Sequence, residues 1–356
     1  PAVRFLTEFD GELYYNALNS TTNGYDLWKT DGSLDGATIV SDNVGFHHPV
    51  IFNEKLYFSR SHTSFGSQLW MTDGTTNGAV LVKNISTGNI YATINDFTTV
   101  GDLLFFTGHD GGASLFGEAL WVTDGTTNGT QMVKDIHLSG PANNNAVQEL
   151  FAFDDTLIFL GNDGTNGYEL WKSDGTANGT QIIKDINPNG DSIPRHFTRL
   201  GNNIFFKASD GTNGTELWKT DGTSNGTELV KDVNPQTYPY IAGGLVNTHI
   251  TIFDEQLYFK ANNNSGAELW KSDGTTNGTQ LVKSVGSSFT SFIDFYVTES
   301  KLFFAAYDPA YGHELWVSDG TTNGTIMVKE INPDTTGSAS IIIFEVENDY
   351  GLVFFA

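Results

Sequence analysis

Short apolar runs separated by small polar clusters recur along the whole chain, and residues 146–187 show the pattern in full. Runs at 147–153, 156–160, 169–173 and 180–184 are rich in Phe, Ile, Leu, Val and Thr. Between them lie Asp154-Asp155, Asn162-Asp163-Gly164-Thr165-Asn166-Gly167 and Asp174-Gly175-Thr176-Ala177-Asn178-Gly179. β-Formers bounded by such turn residues predict four strands joined by tight turns. Four antiparallel strands in about 45 residues make one propeller blade. No stretch of helical length combines helical apolar spacing with good helix formers, so the class is all-β.

The unit repeats. Leu-Trp, two residues and Asp-Gly begin at Leu27-Trp28, Leu69-Trp70, Leu120-Trp121, Leu170-Trp171, Leu217-Trp218, Leu269-Trp270 and Leu315-Trp316, which accounts for all 7 tryptophans. A single blade cannot bury both faces, so neighbours must stack and a ring must close. The reading is one β-propeller domain over 1–356, with blades at about 2–43, 44–86, 87–137, 146–187, 193–234, 247–286 and 289–332. Residues 340–356 then read as the first two strands of a further blade. Leaving that apolar pair uncovered is costly at about 25 cal/mol per Å². The count therefore favours eight blades over seven.

Composition narrows the partners. Of 356 residues, 42 are Asp or Glu and 18 Lys or Arg, a formal charge of −24. Such a surface repels nucleic acid and anionic membranes, and it leaves carboxylates free for hard cations such as Ca²⁺. With 0 Cys there is no disulfide, thiolate metal site or Cys nucleophile. No apolar run is long enough to span a bilayer as a helix. The start at Pro1, with no charged-then-apolar leader, fits a mature form or a fragment boundary.

The unit Glu169-Leu170-Trp171-x-x-Asp174-Gly175-Thr176 and its relatives resemble the ELWxxDGT repeat of large secreted or surface proteins of bacteria. The resemblance covers essentially the whole chain; Asp26 and Gln68 replace the leading Glu twice, and Ser33 replaces the Thr once. It implies a propeller-type architecture and an extracellular setting, with no single activity attached. The repeated residues themselves read as structure. Trp is expected as a wedge between sheets, with its N–H on a carbonyl. Asp-Gly-Thr-x-x-Gly is expected to cap a tight hairpin through a positive-φ Gly, much like the Asp-box turn of sialidase-like propellers. The Asn-Gly-Thr sequons at Asn128, Asn178, Asn225, Asn277 and Asn323 are explained by the same turn.

Departures from the repeat carry the functional signal. Eight residues before the aligned second strand stand Phe5, His48, Asp96, Glu149, His196 and His249, in a column otherwise flanked by apolar and Thr positions. Period-two alternation puts this column on one face of the first strand, near the mouth of a central channel. His48, Asp96, Glu149, His196 and His249 are candidate ligand-binding residues, joined by Arg195 and Arg199 for an anionic group. Tyr238 and Tyr240 in the long loop 235–246, and Tyr311 in a second loop, complete that set. Asp110, Asp163, Asp210 and Asp308 sit in Gly- and Asn-rich loops and are candidate Ca²⁺ ligands, with ordinary Asx turns as the competing reading.

No Gly-x-Ser-x-Gly, His-Glu-x-x-His or phosphate-binding glycine loop occurs. The expectation is a non-catalytic propeller, secreted or on the bacterial surface, that binds a glycan or a surface protein through its loop face. A self-associating structural subunit of a matrix, sheath or filament ranks second. A propeller-based glycan hydrolase or lyase ranks third.

Overall fold

A computed structural model describes residues 3–19, 24–42, 46–62, 66–85, 92–110, 118–137, 146–233, 235, 250–262, 267–286, 292–308, 310–330, 342–344 and 353–355. All its regular structure is β. The chain divides into two compact units, 1–182 and 183–356.

In the first unit, sheet 1 holds β1 (Arg4–Phe9), β2 (Glu12–Asn19), β3 (Gly24–Thr30) and β4 (Thr38–Ser41). Sheet 2 holds β5 (Phe46–Phe52), β6 (Lys55–His62), β7 (Gly66–Thr72) and β8 (Val80–Lys83). Sheet 3 holds β9 (Thr93–Val100), β10 (Leu103–His109), β11 (Ala119–Thr123) and β12 (Gln131–Lys134). Sheet 4 holds β13 (Val147–Phe153), β14 (Thr156–Asn162), β15 (Tyr168–Ser173) and β16 (Gln181–Lys184), within which the division falls. In each sheet the strands pair in chain order. The first strands also run side by side: β1 lies against β5, β5 against β9 and β9 against β13.

The second unit repeats the plan. Sheet 5 holds β17 (Arg195–Leu200), β18 (Asn203–Ser209), β19 (Thr215–Thr220) and β20 (Glu228–Lys231). Sheet 6 holds β21 (Thr251–Phe253), β22 (Gln256–Asn262), β23 (Ala267–Ser272) and β24 (Gln280–Gly286). Sheet 7 holds β25 (Phe292–Val297), β26 (Leu302–Asp308), β27 (Gly312–Ser318) and β28 (Ile326–Met327). A hairpin of β29 (Ile342–Phe344) and β30 (Val353–Phe355) follows, with β29 against β25 just as β25 lies against β21. The sequence-predicted units thus emerge as seven four-stranded antiparallel sheets and a final strand pair.

The core lies between sheets. Trp121 of sheet 3 packs with Phe52, Tyr57 and Leu69 of sheet 2, and Trp171 of sheet 4 with Phe105, Leu120 and Val133 of sheet 3. In the second unit Trp270 meets Phe205 and Leu217, and Trp316 meets Tyr258 and Leu269. The wedge role holds, but the expected indole-to-carbonyl bond holds only in part. Trp121 Nε1 donates to Gly108 O at 3.2 Å, whereas Trp270 Nε1 donates to the Glu268 carboxylate at 2.9 Å. Nε1 of Trp28, Trp171 and Trp316 has no partner among the described residues. The apolar fit of the ring fixes its place, and the N–H takes what is near. At Gly161 a Cβ would stand 2.7 Å from the Trp171 ring, so only glycine leaves that room.

The Asp-Gly-Thr turn is a compact knot. Asp124 Oδ1 accepts the backbone N–H of Thr126 at 2.8 Å and its hydroxyl at 2.7 Å; Thr126 Oγ1 in turn accepts Gly129 N–H. These bonds hold the Asp124 carboxyl below its ordinary range, and Asp73, Asp174, Asp273 and Asp319 behave alike. The first glycine has the expected positive φ (87° at Gly175). The second is needed for space, because a Cβ at Gly179 would collide with the Asp174 carboxylate. Each knot also receives the previous sheet: Lys83 Nζ donates to Thr130 O at 2.5 Å and Lys134 Nζ to Thr180 O at 2.8 Å. The polar residue ahead of Leu-Trp, fully buried, takes up the chain leaving the fourth strand. Gln68 Oε1 accepts Ile85 N–H at 2.8 Å, and Glu216 Oε2 accepts Val233 N–H at 3.1 Å.

Candidate functional site

Every well-described first strand carries the same irregularity. In β9, Asn95 pairs with Thr107 and Thr98 with Phe105, so Asp96 and Phe97 together oppose Phe106. That is a β-bulge, two residues against one. The pairs Phe5-Leu6, His48-Pro49, Glu149-Leu150, His196-Phe197 and Asp294-Phe295 occupy the same place in β1, β5, β13, β17 and β25. Pro49 fits because a bulge leaves an N–H outside the ladder. The leading residue is left-handed in five of these strands: φ is 56° at Phe5, 51° at His48, 52° at Asp96, 55° at Glu149 and 60° at His196. Non-glycine residues with positive φ store strain, which the surrounding packing must hold. Aromatic contacts supply it: Phe97 lies 5.8 Å from Phe106 and Phe197 lies 5.7 Å from Phe206.

This corrects the alternation argument. The column of Phe5, His48, Asp96, Glu149 and His196 does stand at equivalent positions, but an extra residue separates it from the inward Thr and Phe positions. The bulge re-aims the column away from the face that simple alternation assigns. Within the first unit it brings Phe5, His48, Asp96 and Glu149 onto four neighbouring strands. His196 occupies its position in the second unit. His249, Tyr238 and Tyr240 lie outside the described residues.

Between β9 and β13 the bulges open a cleft of about 450 Å³ lined by Asp96, Phe97, Thr98, Gln148, Glu149 and Leu150. Asp96 is exposed and Glu149 half-buried. Thr98 Oγ1 donates to Leu150 O at 3.4 Å across the strands. Behind Asp96 stands Glu118, whose carboxylate accepts Asn95 Nδ2 at 3.0 Å. Burial, with help from the Asp96 charge, pushes the Glu118 carboxyl up, while the Asn95 bond pulls it down. Sequence reading passed over Glu118. Its signal was there: in the third repeat Ala119 takes the place before Leu120-Trp121, and the glutamate moves one residue back.

Between β1 and β5 the same bulges gather other chemistry. The His47 ring meets Phe5 edge-on at 4.9 Å, and His48 lies 6.3 Å from Phe5 and 6.4 Å from His47. The Arg4 guanidinium stands 5.7 Å above the Tyr25 ring. Burial, then the neighbouring His48 and Arg4 charges, depress the His47 imidazole below its usual range. Arg4, His47 and Tyr25 flank the column by one residue or one strand, so a single-column alignment did not reach them.

The remaining candidates fall elsewhere. Arg195 pairs with Lys207 in the β17–β18 ladder, and Arg199 Nε donates to Gly201 O at 3.1 Å beside the β17–β18 turn. Asp163 Oδ1 accepts Thr165 and Asn166 N–H, both at 2.8 Å, and Asp210 does the same with Thr212 and Asn213. Asp308 Oδ1 accepts Ala310 N–H at 2.8 Å, beside the partly exposed Tyr311. These are Asx turns, each closed on its own loop. Asp110 ends the described part of its loop. Among the described residues no three His, Asp or Glu side chains come together as a metal-binding group.

No protein-family model matches the chain, and no curated protein matches it. Solved structures do. A puromycin hydrolase mutant complexed with PGG is 12% identical with a TM-score of 0.48, covering 97% of this chain and 57% of its own. A prolyl endopeptidase is 10% identical with a TM-score of 0.48, covering 99% and 53%. The β-propeller domain of the trilobed protease from Pyrococcus furiosus, described as an open velcro topology, is 12% identical with a TM-score of 0.41, covering 93% and 99%. The chain spans about half the length of the first two. At such identities and TM-scores the likeness says nothing of this chain's activity. These neighbours are peptidases and a peptidase's propeller domain. The expected extracellular adhesion propeller for a glycan or surface protein, with its matrix-subunit and glycan-cleaving alternatives, is therefore withdrawn.

Proposed function

We propose that the chain is a β-propeller recognition module whose working surface is the bulged end of its first strands. On this reading the seven sheets are blades and the β29–β30 pair begins an eighth, because β29 takes the place beside β25 that β25 takes beside β21. The β9–β13 cleft is the binding site, and its ligand is a lysine or arginine side chain of a partner polypeptide.

The observation that carries this is the cleft's lining. Asp96 and Glu149 offer two carboxylates at the rim, while Phe97 and Leu150 offer an apolar wall for an alkyl stem. Long basic side chains bury their methylenes and keep the charged head on polar groups in this way. A volume of about 450 Å³ is in the range of pre-formed ligand sites. The net charge of −24 favours cationic partners over long range.

Calorimetric titration of the full chain with short Lys- and Arg-containing peptides tests the proposal. Saturable binding that drops at least tenfold in Asp96→Asn/Glu149→Gln supports it, and norleucine-substituted peptides should bind equally weakly to both proteins. Affinity of the unaltered chain for the norleucine peptides equal to that for the Lys and Arg peptides would defeat it, as would binding that Ca²⁺ alone reproduces and saturates.

A further inference from the structure

We infer a second binding site, on β1 and β5, that takes an oxyanion group, carried on a ligand as a carboxylate or as a phosphate or sulfate ester, between Arg4, His47 and His48. It is independent of the β9–β13 cleft and uses none of its residues.

The first argument is charge. The chain carries 42 acids against 18 Lys and Arg, so a basic group meets a carboxylate easily. Yet Arg4, His47 and His48 cluster, close enough for Arg4 and His48 both to disfavour the His47 cation. Among the described residues none of the three makes an ion pair. Like charges held together are unfavourable unless a counter-charge relieves them.

The second argument is geometry. The guanidinium of Arg4 rests over the Tyr25 ring at 5.7 Å. A guanidinium carries five N–H donors, and the ring contact uses none of them as a hydrogen bond, so they can grip an oxyanion through two parallel bonds. Arg4 itself is exposed, so the donors are reachable. Phe5 sets the two imidazoles: its ring contacts His47 at 4.9 Å and His48 at 6.3 Å. Protonated imidazoles donate from both nitrogens and accept from none. Three donor groups therefore lie on adjacent strands beside aromatic rings, the two imidazoles 6.4 Å apart.

The third argument is the bulge. The strained left-handed position is common to β1, β5, β9, β13 and β17, so the backbone does not demand histidine there. Aspartate and glutamate hold the same conformation in β9 and β13. Placing His48 after His47, one strand from Arg4, is a property of this sheet pair alone within the first unit.

Among the described side chains, the charged and titratable groups on strands packed against His47 are Arg4 and Glu8 of β1, Tyr25, Asp26 and Lys29 of β3, Lys55, Tyr57 and Arg60 of β6, and Asp96 of β9. An anion bound between His47 and Arg4 would raise the His47 imidazole back toward its ordinary range, which gives a direct readout.

The experiment is histidine-selective NMR on the full 356-residue chain, with 8 ring signals, titrated with sodium sulfate and separately with sodium acetate. Chloride holds the ionic strength constant at pH 6. The expected result is saturable movement of two signals, lost in His47→Gln and His48→Gln, with the midpoint shifted at least tenfold by Arg4→Gln. Saturation by both anions supports the shared chemistry, and saturation by one identifies the ligand's group. Glu149→Gln, on β13 beyond β9, must leave the titration intact, which separates this site from the peptide cleft. Linear, non-saturating shifts equal to those in chloride would overturn it, as would an unchanged midpoint in a folded Arg4→Gln variant.

Discussion

The β1–β5 and β9–β13 pairs share one backbone device and load it with opposite chemistry. Both place a two-residue bulge against an aromatic or tyrosine-bearing second strand, and both hold the leading residue between 51° and 56° in φ. In one pair those residues are Phe5 and His48, beside His47 and Arg4. In the other they are Asp96 and Glu149, with Glu118 behind. Sheet pairing cannot account for the difference, because the ladder either side of each bulge is alike. The bulge supplies a strained address at the same place on β1, β5, β9 and β13, and individual residues decide what it binds.

The largest effect should come from breaking the frame. Phe106 is fully buried, 5.8 Å from Phe97 of the bulge and 6.0 Å from the stacked Trp121 ring. Phe106→Ala is expected to cost about 3–5 kcal/mol, the usual range for a core phenylalanine. Urea unfolding should show the midpoint falling, and peptide binding at the cleft should fail before global unfolding begins. Phe58→Ala, beneath the His48-Pro49 bulge, should damage the β1–β5 pair in the same way. Should either variant keep its site intact at a reduced midpoint, the aromatic anchor is not what holds the bulge.

How much of this could be read from the sequence divides along the same line. Strands, turn knots and Trp wedges were legible because each repeats seven times and each follows from local rules of φ, alternation and burial. The column of Phe5, His48, Asp96, Glu149 and His196 was legible as unequal. Its direction was not, since a bulge costs one residue of register and leaves no mark in composition. Glu118 was hidden by a one-residue shift within its own motif, and Arg4 and Tyr25 by lying on different strands of one sheet. The loops of Asp163 and Asp210, put forward as Ca²⁺ candidates with Asx turns as the competing reading, do close as Asx turns, because Asp, Gly and Asn at those spacings close hydrogen bonds without help from distant parts of the chain.

A smaller effect, but of opposite sign in the two regions, should follow pH. The His47 imidazole is depressed by burial and by like charges, so the unfolded chain takes up its proton first. Its contribution to stability is present above about pH 6.5, the unfolded value, and is lost as pH falls through the lower folded value. Glu118 is raised by burial and by Asp96. Its contribution is full below about pH 4.3 and is lost as pH rises through the higher folded value. Hydrogen exchange corrected for intrinsic rates should therefore show β5 loosening on acidification while the start of β11 tightens. His47→Gln should remove the first response and Glu118→Gln the second. A common direction in both strands would mean that the regions titrate through the whole fold and not through these groups.

The finest test of the contrast is a single amide. Asn95 Nδ2 donates to Glu118 at 3.0 Å, and this bond favours the charged carboxylate against burial and against Asp96. Asn95→Ala removes the donor and leaves both opposing causes in place, so Glu118 should titrate still higher. The stability loss should be small, about 1 kcal/mol as for one hydrogen bond to a partly buried group. It should also depend on pH: on the acid side of the raised Glu118 value the carboxyl is protonated and little is lost, while on the alkaline side the unbalanced charge remains and the loss is greatest. Carboxyl-carbon NMR of Glu118 in the two proteins, beside urea unfolding on both sides of that value, measures both quantities. The β1–β5 pair contains neither group, so its His47 titration should stay where it was. If His47 moves with Asn95→Ala, the two bulged sites are electrostatically joined and must be treated as one.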